Sequence, residues 1–239
     1  MKKEICFLCL LLLFNSKVFC DEKNVLGGVL DFNIYPYLSD VDNDAVVTVN
    51  IAAQLKNGFS YASLTNFYNE EDAAELEDTT SFYTEQNIRW QIPNTSFDLT
   101  TQMNFRSGKN NDRHRLGVRW RMHDSELIGH FFEQWHLKWS INLHAIQFDH
   151  TSENEWQIEH VFFLKMPYLS NRLYLAGFID HTFGEDLPDD YPSSPIVAEA
   201  QLGWRLVENL YLVTEYRINE YRRSDVNNLA VGIEYKLLW

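Results

Sequence analysis

The C-terminal segment 227–239 alternates between apolar and polar side chains, and this pattern constrains the fold more than any other feature. The odd positions carry Leu229, Val231, Ile233, Tyr235, Leu237 and Trp239. The even positions carry Asn228, Ala230, Gly232, Glu234, Lys236 and Leu238, which are mostly polar or small. Because alternate side chains of a strand point to opposite faces, the segment is predicted to be a β-strand with one apolar face. That face would cover a second sheet in a soluble sandwich, or meet lipid in a transmembrane barrel.

The same alternation recurs along the chain and predicts about twelve strands. They span residues 30–38, 47–55, 59–68, 82–92, 97–106, 115–122, 131–148, 156–165, 173–180, 196–206, 210–219 and 229–239. The phase of segment 59–68 is ambiguous, and segment 131–148 leaves room for an extra short strand near 125–132. No stretch shows a helical period of comparable quality. The lengths suit a tilted membrane-spanning strand, which needs roughly 9–11 residues.

The connections between these segments form two alternating sets. The short set, rich in turn residues, lies at 56–58, 93–94, 123–128, 168–171 and 207–209, and the longer or more charged set lies at 40–44, 69–78, 107–113, 149–154, 184–195 and 220–225. An even strand count places the two sets at opposite ends, as in outer-membrane barrels with short periplasmic turns. We therefore expect an all-β, antiparallel up-and-down transmembrane β-barrel of about twelve strands. A secreted soluble sandwich or a lipocalin-like barrel is the alternative.

The chain ends on an aromatic residue, Trp239, with Leu237 and Tyr235 two and four positions before it. This ending resembles the C-terminal assembly signal of bacterial outer-membrane barrels. The resemblance implies recognition by the barrel-assembly machinery and a barrel surrounded by outer-membrane lipid. The predicted location is the outer membrane of a bacterial cell.

The N-terminus has the pattern of a secretory signal peptide, residues 1–20, which would leave the barrel at 21–239. A short basic start precedes the apolar run 5–14, which is too short to span a membrane. Cleavage after Cys20 would remove all three cysteines, Cys6, Cys9 and Cys20, and lower the formal net charge from −14 by a further 2. A lipoprotein acylated on Cys20 is the alternative. A chain this acidic is a poor candidate for binding nucleic acid.

The polar faces of the predicted strands supply candidate pore-lining and substrate residues. They are Tyr83, Glu85, Arg89, Asp98, Arg115, Arg119, Arg121, Tyr174, Phe178, Asp180, Glu199, Glu215 and Arg217. Buried charges need pairing or hydration, so these residues form either a structural ion-pair network or the wall of a water-filled pore. In a pore, charges opposed across the bore would favour small polar solutes, and the aromatic rings could stack on flat ones.

The apolar faces supply candidate membrane-interface aromatics. These are Trp90, Trp120, Trp139, Trp156, Trp204, Tyr235 and Trp239. Such aromatics form girdles at both interfaces of transmembrane barrels. No cofactor or metal site is predicted, because the histidines show no paired spacing next to carboxylates.

Two further motifs resemble known families. His150-Thr151-Ser152 resembles the His-x-Ser of outer-membrane phospholipase A and lipid A deacylases, but no asparagine follows at the family's spacing, so we expect no catalysis. Segments 153–156, 166–167, 177–180 and 184–187 are similar in order and spacing to the Tsx-like nucleoside-specific channels, which are 12-strand barrels. This resemblance implies a narrow, passive, substrate-selective channel. An outer-membrane lipid hydrolase and a non-conducting structural or adhesive barrel are the alternatives.

Overall fold

The computed structural model describes residues 25–35, 45–69, 79–108, 112–148, 155–223 and 225–239. It is a closed barrel of twelve antiparallel strands, as the sequence predicts. The strands are β1 Val25–Ile34, β2 Ala45–Leu55, β3 Phe59–Asn69, β4 Thr79–Gln91, β5 Phe97–Arg106, β6 Arg113–Arg121, β7 Leu137–Phe148, β8 Trp156–Lys165, β9 Leu173–Phe183, β10 Ile196–Val207, β11 Leu210–Asn219 and β12 Asn227–Leu238. A short helix, α1, spans Gly129–Gln134.

Each strand pairs with its neighbours in the chain, and β12 pairs with β1 to close the barrel. The closing register places Leu30 opposite Leu237 and Ile34 opposite Ile233. Closure leaves no strand edge with unpaired backbone groups, which is the condition for strands to cross lipid. The helices in the described part of the chain are all too short or too polar to span a bilayer.

The connections lie at two ends of the barrel. We call the end with connections 56–58, 92–96, 122–136, 166–172 and 208–209, together with the C-terminus, the turn end. The opposite end, with the connections after β1, β3, β5, β7, β9 and β11, is the loop end. At the turn end, Asn57, Asn94 and Asn209 have φ values of 59°, 60° and 65°. Asparagine tolerates this left-handed conformation, so these residues favour tight turns here.

The barrel is apolar outside and polar inside, the reverse of a soluble domain. Leu99 and Ile233 on the outer wall are 49% and 52% exposed, whereas Gln102 and Asn142 on the inner wall are 1% and 0% exposed. Strand alternation produces both faces at once. The predicted polar phase therefore points into the barrel and the apolar phase points out.

The third strand has mixed faces, which explains its ambiguous phase in the sequence. Leu64 of β3 lines the interior, while Tyr61 and Thr65 point outward. The outward hydroxyls are satisfied on the wall itself: Tyr61 donates to Gln86, and the Thr65 and Thr84 hydroxyls lie 2.8 Å apart. Local hydrogen bonds thus offset the cost of placing polar groups on an apolar surface.

The prediction for segment 131–148 is wrong at its start and in the phase of its last residues, although the strand ends at Phe148 as predicted. Residues 129–134 form α1, with Phe132 buried, and β7 begins only at Leu137, so the possible extra strand near 125–132 does not form. Near the other end, the register between β6 and β7 shifts at Ala145. This bulge reverses the phase, so Phe148, which strict alternation would place on the same inward face as His144, lies outside and is 55% exposed.

Candidate pore

A cavity of about 1830 Å³ runs through the barrel. Glu185 and Tyr221 line it at the loop end, and Lys138 and Lys165 line it at the turn end. Nine of the predicted pore residues line this cavity: Tyr83, Glu85, Arg89, Arg115, Tyr174, Phe178, Asp180, Glu199 and Arg217. Parity alone places these side chains, because each sits on the inward phase of its strand. Their role in solute passage stays a prediction.

The other four predicted pore residues are absent from the lining of this cavity. Asp98 is 1% exposed and accepts hydrogen bonds from Arg119 Nε at 2.6 Å and Arg121 Nη1 at 2.7 Å. Glu215 is equally sequestered and accepts from Arg217 Nη2 at 2.6 Å. These groups are held against the wall, where they stabilise neighbouring strands rather than meeting a solute.

The expected charge pattern across the bore is replaced by pairs along the wall. Arg217 Nη2 bonds Glu199 at 3.1 Å, within the β10–β11 pair. Arg115, one of the candidate charges that would be opposed across the bore, donates to Gln102 at 2.7 Å and Gln147 at 2.6 Å. Groups on neighbouring strands lie closer to one another than groups on opposite sides of the bore. They therefore pair along the wall.

A hydrogen-bonded network joins four strands inside the barrel. Tyr35 donates to Gln201 Oε1 at 2.5 Å, and the Gln201 amide donates to the Tyr174 hydroxyl at 2.5 Å. Tyr174 in turn donates to Glu234 Oε2 at 2.6 Å. The sequence prediction missed Gln201 and Glu234 as partners, although their inward parity was the signal available. The network ties β1, β9, β10 and β12 together across the interior.

The three aromatic rings predicted to stack on a solute differ in the aromatic and cationic groups that already contact them. Tyr174 is stacked with Phe163 at 5.6 Å and lies under Lys236 at 3.9 Å. The guanidinium of Arg106 lies 5.5 Å from the ring centre of Tyr83. Phe178 lines the cavity, is partly exposed and has no aromatic or cation–ring partner among the described residues.

Glu185 makes polar contacts at the mouth of the cavity at the loop end. Glu185, in the connection after β9, accepts from Arg113 Nη2 at 2.7 Å and from the Tyr221 hydroxyl. Burial and the hydrogen bond to Glu185 raise the pKa of the Tyr221 phenol to about 12. The phenol therefore remains a donor at neutral pH, and it holds the connection against the mouth of the cavity.

The predicted interface aromatics all lie on the outer wall, but unevenly. Six are near the turn end: Trp90, Trp120, Trp139, Trp204, Tyr235 and Trp239. Trp156 is near the loop end and stacks on Phe183 with ring centres 4.1 Å apart. Their contact with lipid headgroups stays a prediction.

The candidate hydrolase motif, His150 and Ser152, lies outside the described residues, as do the three cysteines. Outward histidines of the described strands contact aromatic rings: His160 accepts from Trp139 Nε1 at 3.2 Å, and His181 packs on Phe183 at 4.1 Å. Within the described ranges no group of three potential metal ligands occurs. The absence of catalysis and of cofactors stays a prediction.

No protein-family model matches the sequence, and no curated protein matches it either. Among solved structures, a NanC porin is 10% identical with a TM-score of 0.50, over 88% of this chain and 97% of that one. A KdgM porin is 12% identical with a TM-score of 0.49, over 88% and 98% of the two chains. An outer membrane channel from Pseudomonas putida F1 is 10% identical with a TM-score of 0.41, over 93% and 100%. The similarity to the NanC porin shows the fold, which is that of bacterial outer-membrane porins.

Proposed function

We propose that the chain is a passive channel of a bacterial outer membrane for small polar solutes. The observation that carries this proposal is the cavity of about 1830 Å³, lined from both ends of a closed barrel. An apolar outer wall suits lipid, and a polar inner wall keeps the cavity hydrated. The wall-side ion pairs leave much of the bore locally neutral, which favours polar solutes without strong charge.

The test is the conductance of the refolded protein in a planar lipid bilayer. We expect small, well-defined unitary currents, because twelve strands enclose a lumen narrower than that of a 16-strand porin. A protein that inserts into the bilayer and never conducts would refute the channel and favour a structural barrel.

We further propose nucleosides as candidate solutes, as the Tsx-like segments imply. The supporting feature is Phe178, a partly exposed ring that lines the cavity without an aromatic partner among the described residues. A base stacked on this ring would slow its own passage, so nucleosides should reduce the single-channel current in a saturable way.

Phe178→Ala should weaken the nucleoside block by about 1 kcal/mol, the worth of one stacking contact. Phe178→Leu, which keeps apolar volume without a ring, should weaken it similarly, and Phe178→Tyr should retain it. A conductance that ignores nucleosides while other solutes pass freely would remove the nucleoside assignment and leave the general channel intact.

A further inference from the structure

The turn end of the cavity is lined by cations from one half of the barrel wall. They are Lys138 of β7, Lys165 of β8, Arg172 just before β9, Arg205 of β10 and Lys236 of β12. We call this set the basic crescent. Each residue lies at or beside the inward-facing position of its strand that is nearest the turn end. The strand register therefore places all five charges at the same mouth of the cavity.

Most of the basic crescent lacks a carboxylate partner. Lys138, Lys165 and Arg172 form no ion pair or side-chain hydrogen bond with the rest of the described chain. Arg205 reaches only the Asn171 carbonyl, at 3.4 Å. Lys236 is the exception, because its Nζ lies 3.0 Å from Glu234 Oε2.

Strand pairing and ring contacts fix where several members of the basic crescent lie. The Arg205 amide donates to the Arg172 carbonyl at 2.9 Å, and Lys165 is directly opposite Tyr174 in the β8–β9 pair. Lys236 Nζ lies over the rings of Tyr174 and Tyr211, at 3.9 Å and 4.9 Å from their centres. Three carboxylates also line the cavity here, and they are Glu133 of α1, Glu234, and Asp31, which is directly opposite Lys236 in the β1–β12 pair, so the five cations still outnumber them.

The loop end differs in its charge balance. There Arg113 is bonded to Glu185 at 2.7 Å and lies 3.8 Å from Glu155. Farther into the bore, Glu85, Glu159 and Asp180 interact electrostatically with one another. The two ends of the cavity therefore differ in charge: the cations of the turn end mostly lack carboxylate partners, whereas at the loop end Arg113 is paired and Arg106 lies over the ring of Tyr83.

We propose that the basic crescent binds the carboxylate or phosphate group of a small anionic solute at the turn-end mouth. An anion there would offset the repulsion among gathered cations, and lysine and arginine both donate to these oxyanions. This inference rests on the proposed channel function, and at the turn-end mouth it replaces the preference for uncharged polar solutes with one for solutes that carry an anionic group. The crescent lines the bore, so the ligand is a solute within the channel.

The experiment measures block of single-channel current by citrate or inorganic phosphate, added first to one chamber and then to the other. Wild type should be blocked at clearly lower concentration from one side, more strongly by citrate, and less at high salt. The variant Lys138→Gln/Lys165→Gln/Arg205→Gln should lose this sidedness. We expect the blocking concentration to rise about threefold for each charge removed, the worth of an exposed ion pair.

Lys56→Gln is the matched control, because Lys56 lies at the same end, is exposed and is not part of the cavity lining. It should leave the sided block unchanged. Equal block from both sides, or sided block that survives the triple substitution, would overturn the inference while leaving the channel standing.

A barrel without conductance would refute the channel, and the crescent would then be tested by calorimetric titration. Citrate is added to the refolded protein in neutral detergent. Binding heat in wild type that the triple variant lacks would support the crescent, and equal heats in both would overturn it.

Discussion

Two inward tyrosines fit inside the barrel because glycines lie next to them. A Cβ atom on Gly203 would lie 2.0 Å from the Tyr174 ring, and one on Gly232 would lie 2.8 Å from the Tyr35 ring. Both distances are far inside van der Waals contact, so neither position accepts a side chain without displacing a ring. The network from Tyr35 to Glu234 therefore depends on two residues that take no part in its hydrogen bonds.

Gly203→Ala should lower the free energy of unfolding by about 1–3 kcal/mol, the usual cost of overpacking. The new methyl group displaces Tyr174 from Gln201 and Glu234. Equilibrium unfolding by urea in lipid vesicles measures the change. In a Tyr174→Ala background the same substitution should cost much less, and an unchanged cost there would show that the ring is not the cause.

For single residues, the sequence predicted which face of its strand a side chain occupies, but not which groups that side chain contacts. Nine of the thirteen candidate pore residues chosen by inward parity line the cavity. Parity could not show that Arg119 and Arg121 both fold onto Asp98, or that Arg115 bonds two glutamines. Those choices depend on side-chain rotamers and on neighbouring strands, and a single strand's periodicity contains neither.

At the scale of elements, β12 closes the barrel by pairing with β1, and Trp239, the residue after β12, extends that pairing. The Trp239 amide donates to the Gly28 carbonyl at 3.2 Å, and the Gly28 amide donates to the Trp239 carbonyl at 3.0 Å. The indole packs over Gly28, where a Cβ would lie 2.5 Å from the ring. The C-terminal residue therefore contributes both backbone pairing and an outward aromatic side chain.

Deleting Trp239 should prevent assembly and leave the chain periplasmic and degraded, as judged by immunoblots of outer-membrane fractions. Trp239→Ala separates the two contributions, because it keeps the backbone bonds and loses the ring. Trp239→Phe, which keeps an aromatic terminus, should assemble normally. Normal outer-membrane levels of the deletion would count against both the membrane barrel and its recognition by the assembly machinery.

The alternation pattern misassigned segments whose apolar spacing fits both a strand and a helix. Segment 131–136 alternates well enough to extend β7, but its backbone closes helical bonds, such as Trp135 N to Phe131 O at 3.2 Å. The bulge at Ala145 is likewise invisible, because it depends on the register against β6. Strands whose polar and apolar faces are clearly separated in the sequence, such as β12, were predicted with nearly the observed bounds.

At the scale of the whole molecule, the two ends of the barrel are chemically distinct. The turn end carries the basic crescent and most of the outer-wall tryptophans, whereas the loop end is narrowed by Glu185 and its partners. The formal charge of −14 for the whole chain hides this division. Which end faces the cell exterior thus decides which solutes meet the cations first.

The orientation follows from thiol labelling of intact cells with a membrane-impermeant reagent. Asp189→Cys at the loop end should be labelled, and so should Asp72→Cys, which lies outside the described residues. Asn57→Cys at the turn end should be labelled only after the outer membrane is permeabilised. Asp189 and Asn57 are both exposed, so accessibility within the protein does not separate them. Labelling of Asn57→Cys alone would reverse the orientation and place the basic crescent at the entrance rather than at the exit.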